Sequence, residues 1–262
     1  MSEPRRLLVL SGGHPYEAKP FADLLASFDG WTVTHLIHPE AEAAVAAGAT
    51  NDADAILFYD MPGYHFGDGK VTARPPSWTY RRAITGYFAR GGGAVAMHHA
   101  IAGWAEWPEW AKMLGGRFLY EPGNANAEDH LDSGYRHDVH YDAVVLDPGH
   151  PVTAGLPPCF PLCDELYLAP VWGAVTPLLR ADHAFVRDNF YSAAQAVAGR
   201  MFSNTGWDHR PESDLIAWEK PFGAGRLVYL QPGDGPAAYA DANLRRLLAN
   251  ALAHVAPNPA SS

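Results

Sequence analysis

Three short apolar runs, at residues 7–10, 55–59 and 94–97, stop at Ser11-Gly12-Gly13, Asp60 and His98-His99. Runs this short fit strands buried on both faces, the kind found inside a parallel sheet. Helix-like segments separate them. Residues 19–28 place Phe21, Leu24, Leu25 and Phe28 on one face, residues 41–49 are alanine-rich, and 79–89 follow a loop rich in Gly and Pro. Residues 31–37 add a further strand pattern with β-branched residues. The order βαβαβαβ predicts a parallel sheet with helices on both faces.

The pattern then changes. A polar loop at 121–133 precedes a β-pattern at 135–146, and strand-like segments follow at 175–179 and 198–203. A hairpin is expected from 216–222 and 226–230 around Gly223–Gly225, and an amphipathic helix at 240–255 carries Leu244, Leu247, Leu248, Ala251 and Leu252 on one stripe. With 262 residues, 48% hydrophobic and 18% charged, the chain reads as one α/β domain over 1–256. That domain is a mainly parallel sheet with an antiparallel extension, and 257–262 form a disordered tail.

The formal charge of −10 argues against nucleic acid or an anionic membrane as partner. No run of apolar residues is long enough to span a membrane, and the N-terminal run is too short for a leader, so a cytoplasmic protein is expected. Cys159 and Cys163 match neither a disulfide framework nor a zinc pattern and read as reduced thiols. No G-x-G-x-x-G or G-x-x-x-x-G-K-[ST] is present, and Gly91–Gly93 precede a strand, so no nucleotide cofactor is expected.

Ligands of open parallel sheets bind beyond the carboxyl ends of the strands. Those ends deliver His14, Asp60, Tyr64, His98 and His99. Neighbours on an extended backbone point to opposite faces, so His98 is taken as the cleft-facing base or metal ligand and His99 as a packing or orienting residue. His137 and His140, three apart in a strand, should lie on opposite faces and not chelate. His130 reads as solvated and His150 as a turn residue. Asp164-Glu165 beside Tyr167 can supply an acid or base, or form a solvated turn. Trp207-Asp208-His209 can hold a sugar or form a surface loop.

Several landmarks in order resemble the ThuA-like (trehalose utilisation) family. They are Gly91–His99, Trp104, Trp107-Pro108-Glu109, Leu114–Phe118, His150–Leu156, Phe160–Tyr167, Gly225–Tyr229 and Asn243–Ala253. The resemblance implies a flavodoxin-like, class I glutamine amidotransferase-like three-layer fold. It places His98 near the elbow where amidotransferases carry a nucleophilic cysteine. No Cys stands there, so glutamine hydrolysis through a thioester is not expected. The family often ends its last strand with Gly-His, whereas this chain reads Gly233-Asp234, which makes Asp234 a substitute oxygen ligand or a site of lost function.

The reading that follows is a sugar isomerase, lyase or hydrolase acting on a disaccharide or keto-sugar. His98, Asp164 and Glu165 would be catalytic. His14, Asp60, Tyr64, His99, Trp104, Tyr167, Trp207, Asp208, His209 and Asp234 would contact substrate. A divalent metal, zinc or manganese, would sit on His98. The alternative is a non-catalytic sugar-binding or regulatory protein. In either case the partner is a small sugar, with self-association into a homo-oligomer also entertained.

Overall fold

A computed structural model describes residues 3–256 of the chain; the tail expected at 257–262 lies outside the described residues. The N-terminal part runs β1 (Arg5–Gly12), α1 (Ala18–Ala26), β2 (Trp31–Ile37), α2 (Glu40–Ala46) and β3 (Ala55–Asp60). A hairpin, β4 (Tyr64–Gly67) and β5 (Lys70–Ala73), precedes α3 (Trp78–Ala89), β6 (Gly93–Met97) and α4 (Pro108–Leu114). A second hairpin, β7 (Gly123–Ala125) and β8 (Glu128–His130), leads to the long strands β9 (Gly134–Val145) and β10 (Cys159–Leu168). Then come β11 (Thr176–Ala181), β12 (Tyr191–Ser192), α5 (Ala193–Val197), β13 (Leu215–Phe222), β14 (Gly225–Leu230), α6 (Pro236–Ala240) and α7 (Ala242–Val255).

Nine of these strands form one path in the order β10-β9-β11-β13-β14-β6-β3-β1-β2, with β12 paired to β9. From β14 to β2 every pair is parallel; from β14 to β10 every pair is antiparallel. This is the expected α/β fold, a parallel sheet with an antiparallel extension. Helices cover both faces of the parallel part. Phe21 and Leu24 of α1 and Leu244, Leu247 and Leu248 of α7 pack with Val9, Leu57 and Val95. On the other face Val45 of α2, Ile84 and Phe88 of α3 and Trp110 of α4 pack with Leu8, Ile56, Phe58 and Ala94. Three layers result because the central strands β3 and β6 are apolar on both sides, as their unbroken runs of buried residues require.

Capping fixes the helix starts. The Ser77 hydroxyl accepts the Tyr80 amide at α3, and the Asp241 carboxylate accepts the amides of Asn243 and Leu244 at α7.

Three details differ from the sequence expectation. Residues 198–203 are not a strand: Ser192 caps α5 by accepting the Gln195 amide, and Gly199 and Phe202 then adopt φ of 79° and 57°, which break extended geometry. The Gly/Pro-rich loop after β3 and the polar loop after α4 each contain a short hairpin. Asp164-Glu165 lie inside β10, not in a turn.

Candidate functional site

The site begins with a backbone turn. At the end of β6, His98 adopts φ of 50°, a left-handed conformation costly for a residue with a Cβ, and the chain enters a short 3-10 turn over His98–Ala102. The elbow is held from β14: the Tyr229 hydroxyl donates to the His98 carbonyl at 2.9 Å, and His98 Nδ1 donates to the Gln231 carbonyl at 2.7 Å. A carbonyl only accepts, so the proton sits on Nδ1 and Nε2 is the nitrogen turned to the other groups.

Four residues converge there. His98 Nε2 lies 3.0 Å from Glu165 Oε2, 3.2 Å from Asp234 Oδ1 and 2.7 Å from the Tyr167 hydroxyl. Burial pulls His98 down, but the hydrogen bonds and charges of Asp234 and Glu165 outweigh it and hold the imidazole well above its usual range. Burial opposes the charge of Asp234 too; the bond to His98 and the charges of His98, His14 and His137 prevail and push that carboxyl below the usual range.

These contacts join strands that lie far apart in the sheet. Four strands separate β10 from β6, yet the antiparallel half curls back so that β10 meets the loop after β14. Asp164 is the fastening. Its carboxylate accepts the amides of Gly233 at 2.6 Å, Glu165 at 2.9 Å and Asp234 at 3.2 Å. Burial raises the Asp164 carboxyl to about 6, against the opposing pull of the His98 charge and of those amides. Gly233 is required at the junction, because with φ of 131° a Cβ would lie 2.8 Å from Met97 Cγ.

Asp164 and Glu165 lean to opposite faces of β10, as the period of a strand dictates. Glu165 meets β9 at a bulge. Val139 pairs with Asp164 and Arg136 with Leu166, so His137 and Asp138 together oppose Glu165, with Asp138 at φ of 54°. The bulge changes the phase of β9. Tyr135 packs in one layer, whereas Val139, Tyr141 and Ala143 pack in the other. His137 and His140 therefore share a face, contrary to the simple alternation, and His137 Nδ1 comes 3.2 Å from Glu165 Oε1.

Glu165, Tyr167, His137 and His14 line a cavity of about 250 Å³ whose remaining walls include Phe66, Phe118, Tyr120, Tyr135 and Met201. His98 is fully buried and does not line it, which corrects the expectation that its ring faces the cleft. Glu165 presents the cluster to the cavity instead. Larger hollows exist elsewhere, one of about 500 Å³ beside His254, but neither that one nor the others joins the elbow cluster.

The ThuA (trehalose utilisation) family profile matches residues 8–255. This chain belongs to the ThuA family. None of the curated proteins matches it in sequence. Among solved structures, a ThuA-like protein from Parabacteroides merdae is 15% identical with a TM-score of 0.68, covering 96% of this chain and 90% of that one. A ThuA-like protein from Bacteroides uniformis is 21% identical with a TM-score of 0.62, covering 96% and 91%. A cytoplasmic protein from Salmonella typhimurium is 13% identical with a TM-score of 0.59, covering 97% and 100%. At these identities the likeness is one of fold. Among the described residues no helix is long and apolar enough to cross a membrane.

In this ThuA-family chain the other residues singled out from the sequence fall into three groups. His14 and His99 stand beside the cluster, their rings stacked at 4.5 Å, with His99 against Tyr59 at 4.4 Å. His14 Nδ1 donates to the Pro15 carbonyl at 2.8 Å, which leaves Nε2 as an acceptor. His99 is fully buried and its nitrogens make no well-formed hydrogen bond; the charge of Asp234, and after it the Tyr59 backbone, favour its charged form. Burial and the neighbouring His14 and His98 hold it well below the usual range.

Asp60, Tyr64 and Trp104 belong elsewhere. Asp60 is wholly buried and bonded to His38 at 2.8 Å, and Trp104 packs against His38 and Tyr80. The Tyr64 hydroxyl donates to the Ala102 carbonyl. Trp207, Asp208 and His209 are also away from the cavity lining. Trp207 Nε1 donates to Asp132 at 3.1 Å, the Asp208 side chain is almost fully exposed, and His209 Nδ1 donates to the Arg210 carbonyl.

His150, Glu219 and His254 form a second cluster with atoms close enough to hold an ion. Here the tautomer is reversed. His150 Nδ1 accepts the Val152 amide at 3.2 Å, so its proton sits on Nε2, the nitrogen that faces Glu219 at 3.2 Å. The cluster is a hydrogen-bonded latch from α7 to β13. Sequence reasoning missed His137 and Gln231; the signal for His137 was the Asp138 that supplies the bulge, visible only once β9 and β10 are paired.

Proposed function

We propose that this protein is an acid–base enzyme of carbohydrate utilisation that acts on a keto-sugar derivative, with Glu165 as the proton-transfer group. The observation that carries this reading is the Glu165 carboxylate on the cavity floor, one oxygen 3.0 Å from His98 Nε2 and the other 3.2 Å from His137 Nδ1. Carbon–hydrogen bonds next to a ketone are acidic, and a positioned carboxylate removes such a proton to give an enolate. The charged His98 behind Glu165 orients the carboxylate; as the proton moves to Glu165 the negative charge passes to the enolate, and the His98 charge stays in place to offset it. His137 and His14 Nε2 stand at the same end to hold or return a proton at a sugar oxygen. The enolate can be reprotonated, which is isomerisation, or can expel a substituent on the next carbon, which is elimination.

A metal-assisted form is favoured by one further observation. Ligand atoms of His98, Glu165 and Asp234 lie within 4.8 Å of one another. The donation from His98 Nδ1 to the Gln231 carbonyl is the arrangement that prepares Nε2 as a ligand. These residues fit zinc or manganese, and such an ion would supply Lewis-acid polarisation of a carbonyl.

Mass spectrometry of trehalose and 3-keto-disaccharides incubated with the protein, with and without zinc or manganese, tests the proposal. Conversion of a keto-sugar by the wild type and not by Glu165→Gln supports it. Equal conversion by both, or none under any condition, rejects it.

A further inference from the structure

The cavity lining is of two chemical kinds. Its hydrogen-bonding groups are His14, His137 and Glu165, the last two 3.2 Å apart. Phe66, Phe118, Met201 and the small apolar residues of α5 make up much of the remaining wall. Two tyrosines on the lining have their hydroxyls spent within the protein. That of Tyr120 donates to Met61 Sδ at 3.2 Å, and that of Tyr135 accepts the Phe202 amide at 3.1 Å. Both offer ring surface to a ligand. A second sugar ring against these walls would bury hydroxyls without partners, which is unfavourable. A flat apolar group would meet ring edges and a thioether, which is favourable.

The mouth repeats the pattern. Phe66 on the β4–β5 hairpin is 44% exposed, and Met201 and Phe202 on the turn after α5 are 51% and 59% exposed. The two segments meet, since a methyl built on Gly69 would lie 3.8 Å from the Ala198 Cα. Large apolar side chains exposed on both sides of a cavity mouth mark a surface that a ligand covers. The volume, about 250 Å³, falls below the range of about 300–1,000 Å³ for drug-sized ligands and suits one ring with a compact substituent.

We infer that the cavity takes a single sugar ring against its polar groups and an aromatic substituent of that ring against its apolar walls, in preference to a disaccharide. The inference rests on the acid–base reading of Glu165 and adds the class of the substituent.

Calorimetric titration with methyl glucopyranoside, phenyl glucopyranoside and trehalose tests it, using both anomers of the first two. These sugars lack a ketone and so report binding without turnover. The phenyl glycoside of one anomer is expected to bind at least about tenfold tighter than the methyl glycoside, and trehalose no tighter than the methyl glycoside. Phe66→Ala and Met201→Gln should each remove most of the phenyl advantage and leave methyl glycoside binding unchanged. Methyl glycoside binding with no gain from phenyl, or tighter binding of trehalose, overturns the inference alone. Failure of all three sugars to bind overturns it together with the sugar-enzyme reading.

Discussion

Asp164 accepts the backbone amide of Gly233 at 2.6 Å, so a carboxylate on the far edge of the antiparallel half fixes the loop that carries Asp234. Asp164→Ala leaves buried amides without acceptors, and each such group costs about 1–3 kcal/mol. The variant should unfold at lower guanidinium concentration than the wild type. Asp164→Asn keeps one acceptor oxygen and should lose less. In both, activity should fall because Asp234 is no longer held against His98. Unfolding midpoints and turnover of the same preparations check this.

The two histidine–carboxylate clusters should differ in metal affinity because their tautomers differ. One equivalent of zinc or manganese should bind the metal-free protein, and His98→Ala or Asp234→Ala should abolish that binding. His150→Ala should leave it intact: a charged His98 can release its Nε2 proton and stay a neutral imidazole with Nδ1–H on Gln231, whereas the one proton of a neutral His150 is the Nε2 proton engaged with Glu219. Two equivalents in the wild type, with one lost in His150→Ala, would contradict the assignment.

The Glu219 latch should give the fold a dependence on acidity. The bond to His254 at 2.6 Å leads the causes that lower the Glu219 carboxyl from its ordinary 4.5, with burial opposing. A depressed carboxyl stabilises the fold above its unfolded value, and the contribution disappears as pH falls through the folded value. Wild type should therefore exceed Glu219→Gln in stability at pH 7, by about 1 kcal/mol given the partial exposure of the cluster. The difference should shrink below pH 4.5. Denaturant unfolding of both proteins between pH 3 and 7 reads the effect.

How much of this was legible follows from the range of each interaction. The parallel half could be read because a buried strand and the helix after it are encoded in consecutive residues such as 7–10 and 19–28. The helix at α5 could not, because it depends on the Ser192 cap and on positive φ at Gly199 and Phe202. The loop ends that deliver His14 and His98 were legible for the same local reason as the strands. A shared role for His98 and Glu165, with Asp234 as a substitute ligand, was expected from residue type and the family landmarks, but the contacts that join them were not legible, since they require the sheet to curl across four intervening strands. His137 was hidden by a bulge that reverses the alternation on which its exclusion rested. Trp207 and Trp104 matched an expectation for sugar stacking by residue type, but each is committed to packing within the protein.

The most direct test of the account is hydrogen exchange into a keto-sugar in heavy water, followed by mass spectrometry and NMR. The wild type should place deuterium at the carbon next to the ketone, and Glu165→Gln should slow that exchange about 10²–10⁴-fold while retaining its fold. Exchange no faster than in buffer, or equally fast in Glu165→Gln, would contradict the assignment of Glu165 as the proton-transfer group.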